Sequence, residues 1–117
     1  MSELDDALDR IRGHDGVEHV LVLGRDGLLI QHAGAGALDP ETVSAMVPGV
    51  VQSASALGGA AGTGGAGTVV ARLERGVAVV QELSEDVLLA VLVAPGAGFA
   101  PLLHDLAESR AALAALV

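Results

Sequence analysis

Residues 68–94 read TVVARLERGVAVVQELSEDVLLAVLVA, and this stretch decides the fold. Thr68 to Glu74 alternates in part, placing Val69, Ala71 and Leu73 on one face. Arg75-Gly76 turns the chain and Val77 to Leu83 returns. Ser84-Glu85-Asp86 turns it again, and Val87 to Ala94 is wholly apolar. Connections this short require antiparallel pairing. A strand that is apolar on both faces belongs at the centre of a sheet, with helices covering each side. The strand from Thr68 carries Thr68, Arg72 and Glu74, which suits an edge.

Working outward, Gly58 to Gly67 is rich in Gly, Ala and Thr and is expected to be a mobile connection. Before it, Asp39-Pro40-Glu41 signals a helix start. Asp39 caps the free N–H groups, Pro40 has no N–H to lose, and Glu41 meets the positive end of the helix dipole. Val43, Met46, Val47, Val50, Ala54 and Leu57 follow at helical spacing. Pro48 interrupts that stripe, so a bend or break is expected there. Further back, Val17 to Leu23, Gly24-Arg25-Asp26-Gly27 and Leu28 to His32 read as strand, tight turn, strand. The chain opens with Ser2 and Asp5 as a helix cap, Leu4, Ala7, Leu8 and Ile11 as an apolar stripe, and Gly13 as a stop. After Pro95-Gly96-Ala97-Gly98, the positions Phe99, Leu102, Leu103, Leu106, Arg110, Leu113 and Val117 mark a closing amphipathic helix. The predicted order is α-β-β-α-β-β-β-α in one domain spanning 1–117.

Composition narrows the function. The 117 residues suffice for one core and not for two. Val, Leu and Ala dominate, Phe99 is the only aromatic, and this argues against an aromatic-lined pocket or a base-stacking platform. All six basic residues are Arg, against 15 acidic ones, for a formal charge of −9. That balance repels phosphate backbones and anionic lipid, so neither nucleic-acid binding nor membrane insertion is expected. There is no cysteine, hence no disulfide, thiolate metal site or thiol nucleophile. The N-terminus lacks the features of a signal peptide, and a cytoplasmic location is expected.

The pattern carries no chemistry of a catalytic or metal site. A phosphate loop of the GxxxxGK[ST] type cannot be written without Lys. Gly62-Thr63-Gly64-Gly65-Ala66-Gly67 follows a helix and opens a strand, the reverse of a dinucleotide fingerprint. His14, His19, His32 and His104 have no metal spacing. His14 and His32 read as loop or strand-end residues, His104 as a helix-surface residue and His19 as a hydrogen-bonded core residue. No nucleophile elbow surrounds Ser44, Ser53 or Ser55. No catalytic residue, cofactor or metal is therefore assigned.

The element order and several local sequences resemble the roadblock / dynein light chain superfamily. The resembling pieces are the first helix into Gly16-Val17, Gly24-Arg25-Asp26-Gly27-Leu28-Leu29-Ile30, Asp39-Pro40-Glu41, Glu74-Arg75-Gly76-Val77-Ala78-Val79-Val80, Leu88-Leu89-Ala90-Val91-Leu92, and the loop into a final helix. The resemblance implies a five-stranded antiparallel sheet, with the long second helix on one face and the terminal helices on the other. It also implies a homodimer formed by pairing third strands and packing second helices. In bacteria such proteins often bind or regulate a small Ras-like GTPase.

Sequence physics agrees with the dimer. The edge strand, with Thr68, Val69, Val70, Ala71 and Arg72, carries neither Pro nor Lys to block pairing. Beside it, Val43, Val47, Val50 and Ala54 are small enough for two helices to approach closely. Glu41, Thr42, Gln52 and Ser53 are the candidate polar contacts to a partner. The expected function is a non-catalytic interaction module. The alternative is a small-molecule sensor or enzyme on a similar compact fold, which an apolar pocket with converging polar groups would favour.

Overall fold

The computed structural model describes residues 2–117. Its elements are α1 (Glu3–Arg12), β1 (Val17–Gly24), β2 (Leu29–Gly34), α2 (Pro40–Ala61), β3 (Thr68–Leu73), β4 (Gly76–Glu82), β5 (Val87–Val93) and α3 (Ala100–Ala114). The five strands form one antiparallel sheet in the spatial order β2-β1-β5-β4-β3. The most apolar strand, β5, is central, as its composition requires, and β3 is an edge.

Alternation along β5 divides the core in two. Leu89, Val91 and Val93 point to one face, where they meet Leu8 and Ile11 of α1 and Leu102, Leu106 and Leu113 of α3. Leu88 and Ala90 point to the other, where they meet Leu21, Leu23, Val80 and the α2 residues Val47 and Val51. The long helix thus lies on one side and the terminal helices on the other.

The helix starts follow from their caps. The Ser2 hydroxyl accepts the Asp5 N–H at 3.0 Å, and acidic residues fill the first turn of α1 while Arg10 and Arg12 fill its last. Asp39 accepts the N–H groups of Glu41 and Thr42, with Pro40 opening α2. Its carboxyl is held below the usual range, first by the Thr42 hydroxyl and then by these backbone donors. In the β1–β2 turn, Asp26 Oδ1 accepts the Leu28 N–H at 3.0 Å while Gly27 takes a φ of 88°.

Several expectations are corrected. α2 runs unbroken through Pro48 for 22 residues. Proline removes one rung, the bond to the Ser44 carbonyl, and Val47 and Val51 pin the helix to the sheet on either side. Gly58 to Gly67 is not one loose connection. Gly58 to Ala61 complete α2, Gly62 caps it in the left-handed conformation, and the Thr63 N–H returns to the Gly58 carbonyl at 2.8 Å. A Cβ on Gly58 would collide with the Gly64 carbonyl, so only glycine lets the chain fold back there. The Ala66 N–H is then tied to the Ser55 hydroxyl at 3.0 Å. His32 sits within β2 rather than at a strand end, and Val117 lies beyond α3, exposed. No helix among the described residues is long and apolar enough to cross a membrane.

Candidate functional site

α2 carries three stripes. Ser44, Val47 and Val51 are buried against the sheet, and the Ser44 hydroxyl donates to the Gly27 carbonyl at 2.8 Å. Glu41, Thr42, Gln52 and Ser53 are exposed together on the polar side, as helical spacing dictates. Between these lies an apolar stripe that nothing covers: Met46 is 69% exposed, Val50 41% and Leu57 71%. Of the stripe expected at an interface, Val47 therefore belongs to the protomer's own core, Val43 and Ala54 are half-buried, and Val50 faces outward.

An apolar groove of about 310 Å³ separates this open stripe from the sheet. Val43, Met46 and Val50 form one wall; Val69, Ala71 and Leu73 of β3 form another; Ala78 and Leu92 lie at its floor. Leu92, which the sequence places in the most buried strand, is consequently only half-buried. The groove's lining is apolar throughout, with no titratable side chain converging on it. That is the surface of a side-chain receptor for another apolar element rather than of a polar-ligand site.

The β3 edge is open beside it. The Glu82 N–H donates to the Gly67 carbonyl at 2.9 Å, while Thr68 lies opposite Gln81. In an antiparallel ladder that alternation turns the backbone groups of Val69, Ala71 and Leu73 toward β4. Those of Thr68, Val70 and Arg72 point outward. The side chains alternate oppositely: Val69, Ala71 and Leu73 line the groove, and Arg72 lies over the Phe99 ring at 5.3 Å on the α3 side.

Polar clusters elsewhere hold elements together. Asp105 of α3 accepts from Arg10 at 2.5 Å and lies 2.6 Å from His14 Nε2, clamping α3 to the end of α1. Burial pushes the Asp105 carboxyl up, but the hydrogen bonds and charges of His14 and Arg10 outweigh this and hold it below the usual range. Arg25 reaches Glu82 at 2.7 Å, and Arg110 donates to the Glu82 carbonyl at 2.8 Å. His19 is buried in β1 as expected, with Nδ1 3.1 Å from His32 Nε2. No group of three or more metal-ligating side chains occurs among the described residues.

The sequence missed Met46, Leu57 and Leu73 as members of the open surface. A signal was there: the apolar stripe of α2 is wider than one sheet face can cover, so part of it had to remain outside.

No curated protein sequence matches the chain significantly. Solved structures do resemble it. An MglB in a tetrameric arrangement superposes with a TM-score of 0.87 at 20% identity, over 97% of this chain and 86% of that one. The gliding protein MglB of Thermus thermophilus gives 0.86 at 21%, over 97% and 87%. A Roadblock/LC7 domain from Streptomyces avermitilis gives 0.84 at 21%, over 96% and 95%. At such identities the likeness is one of fold. Residues 3–93 also match the Roadblock/LC7 domain family model, and the chain belongs to that family.

Proposed function

We propose that this chain is a non-catalytic docking module that works as a homodimer and binds a small Ras-like GTPase. The observation that carries the reading is the uncovered apolar strip of α2 and its groove, set beside an unpaired strand edge. Exposed apolar surface of this kind, continuous and rimmed by polar residues, is a place of association. Two copies joined at β3 would form one ten-stranded sheet. The outward parity of Thr68, Val70 and Arg72 favours Val70 opposite its own symmetry mate, with Thr68 opposite Arg72, because that register uses every free backbone group. The open stripes of the two α2 helices, Val43, Met46, Val50, Ala54 and Leu57, then face one another. An ordinary interface of ~1,200–2,000 Å² is expected.

The GTPase assignment rests on family membership and on the shape of such a dimer. Paired α2 helices present Glu41, Thr42, Gln52 and Ser53 twice over on a composite platform that a monomer lacks. The net charge of −9 would speed encounter with a basic partner at low salt. Arg10, Arg25 and Arg110 are committed to internal ion pairs, and none of Arg12, Arg72 and Arg75 is singled out as a transition-state donor, so an effect on turnover through ordering of the partner's own residues is the reading we adopt.

Light scattering at micromolar concentration tests the first half, and a mass of 11.6 kDa would refute it. Val70→Pro should lose a bond across the dimer and leave a folded monomer. Val69→Pro removes a rung to β4 and should unfold the β3 edge. Pull-down of the small GTPases encoded in the same genome, each loaded with GDP or a GTP analogue, tests the second half. Binding no better than a control protein in either state would remove the GTPase and leave the docking module.

A further inference from the structure

His19 and His32 bridge β1 and β2 on the α2 side of the sheet. Their ring centroids are 5.3 Å apart and their planes differ by 18°. The facing nitrogens are 3.1 Å apart, so the centroid separation exceeds the nitrogen separation by almost two ring radii. The rings therefore meet head-on, edge to edge and nearly coplanar, in a single N–H···N hydrogen bond rather than a stack. That leaves no space for a metal ion between them. Gly34, opposite His19, has a φ of 149°, and a Cβ there would run into His19 Nδ1. The backbone is thus shaped to admit the ring.

Such a bond counts protons. With the pair neutral, one nitrogen donates and the other accepts. With one proton added, the bond becomes charge-assisted and stronger. With two, both facing nitrogens carry hydrogen and the bond cannot exist. We infer that His19 and His32 form a proton-limited latch on β2, which stays closed with up to one extra proton and is forced open by the second. β2 is an edge strand whose only neighbour in the sheet is β1, and it leads directly into the connection to α2. Opening the latch frees this end of β2 while the β5 centre stays intact.

The surroundings favour release in acid. Burial, then the neighbouring His19, then the Arg12 guanidinium at the end of α1 all hold the His32 imidazole below its ordinary value. Of the other charged groups nearby in the chain, Glu18 is exposed and Asp39 is committed to Thr42. Gln31 is neutral and bonded to Asp5. The folded state takes the second proton, the one on His32 that breaks the bond, less readily than the unfolded chain does. Its contribution is therefore full above about pH 6.5 and falls as the pH drops below that value.

Amide exchange on the full chain at pH 7 and pH 5, corrected for intrinsic rates, tests this without any variant. Protection of the β2 amides should fall at least ten-fold while that of the β5 amides is unchanged. Ring nitrogen shifts should show two coupled titration steps, the second in the range where β2 loses protection. His32→Gln, which cannot gain the second proton, should abolish the pH dependence in β2, and His14→Gln should leave it as in the parent. Equal loss in β2 and β5, no loss in either, or two rings titrating independently would each overturn the latch.

Discussion

The two faces of this sheet are made by the same strands yet closed to different degrees. Toward α1 and α3, thirteen buried apolar side chains form a sealed layer, and both helices are locked to each other through Asp105. Toward α2, seven are buried, a single helix covers the middle, and an apolar groove stays open along the β3 side. The difference separates two uses of hydrophobic surface. One face secures the fold within a protomer. The other leaves part of its apolar area uncovered within the protomer, the kind of surface at which association occurs.

Leu89 and Leu92 put that contrast to the most direct test. They stand on one strand and face opposite sides. Leu89→Ala should cost ~2–5 kcal/mol in urea denaturation, since it opens a void in a sealed layer. Leu92→Ala should cost about 1–2 kcal/mol, because the groove it lines already meets solvent and no closed cavity forms. Equal costs would mean that the α2 face is as closed as its opposite.

Acid should sharpen the comparison on the sealed side. Asp105 titrates lower folded than unfolded, so its contribution is present above about pH 4 and lost as the pH falls through the folded value. Asp105→Asn should flatten the stability profile in that range and weaken the tie between α1 and α3. An unchanged acid limb in thermal melts would show that the clamp carries no stability.

The smallest effect belongs to the caps. Ser2→Ala removes the acceptor for the Asp5 N–H and should cost about 1 kcal/mol, seen as a small drop in Tm. Asp39→Ala acts at the matching place on the open side. It should loosen the head of α2 and, if the proposed dimer forms, weaken it as well, which Ser2→Ala should not do.

Much of this fold is legible in the sequence alone. Caps, turns and the central strand are local or compositional, so Ser2, Asp39, Asp26-Gly27 and the run from Val87 can be read directly. What cannot be read depends on which way a residue turns once elements meet. Pro48 reads as a break because a local rule sees the lost rung and not the packing of Val47 and Val51. Gly58 to Gly67 reads as loose because composition does not reveal that Gly62 and Thr63 cap the helix. The His19–His32 bond lies between residues thirteen apart, and only the β1–β2 register brings their nitrogens face to face.

The order β2-β1-β5-β4-β3 also bears on how the chain reaches this state. β1–β2 and β3–β4–β5 are joined by turns and can form from local contacts, within microseconds for a hairpin. The β1–β5 seam is different: Val17 meets Val93 at one end and Gly24 meets Val87 at the other, across α2 and three strands. Closing that long loop incurs its entropy before any contact rewards it, so the seam is the slow, high-contact-order step. Until it closes, the apolar edges of β1 and β5 are bare, and the chain is most exposed to aggregation while its eventual centre is still unmade.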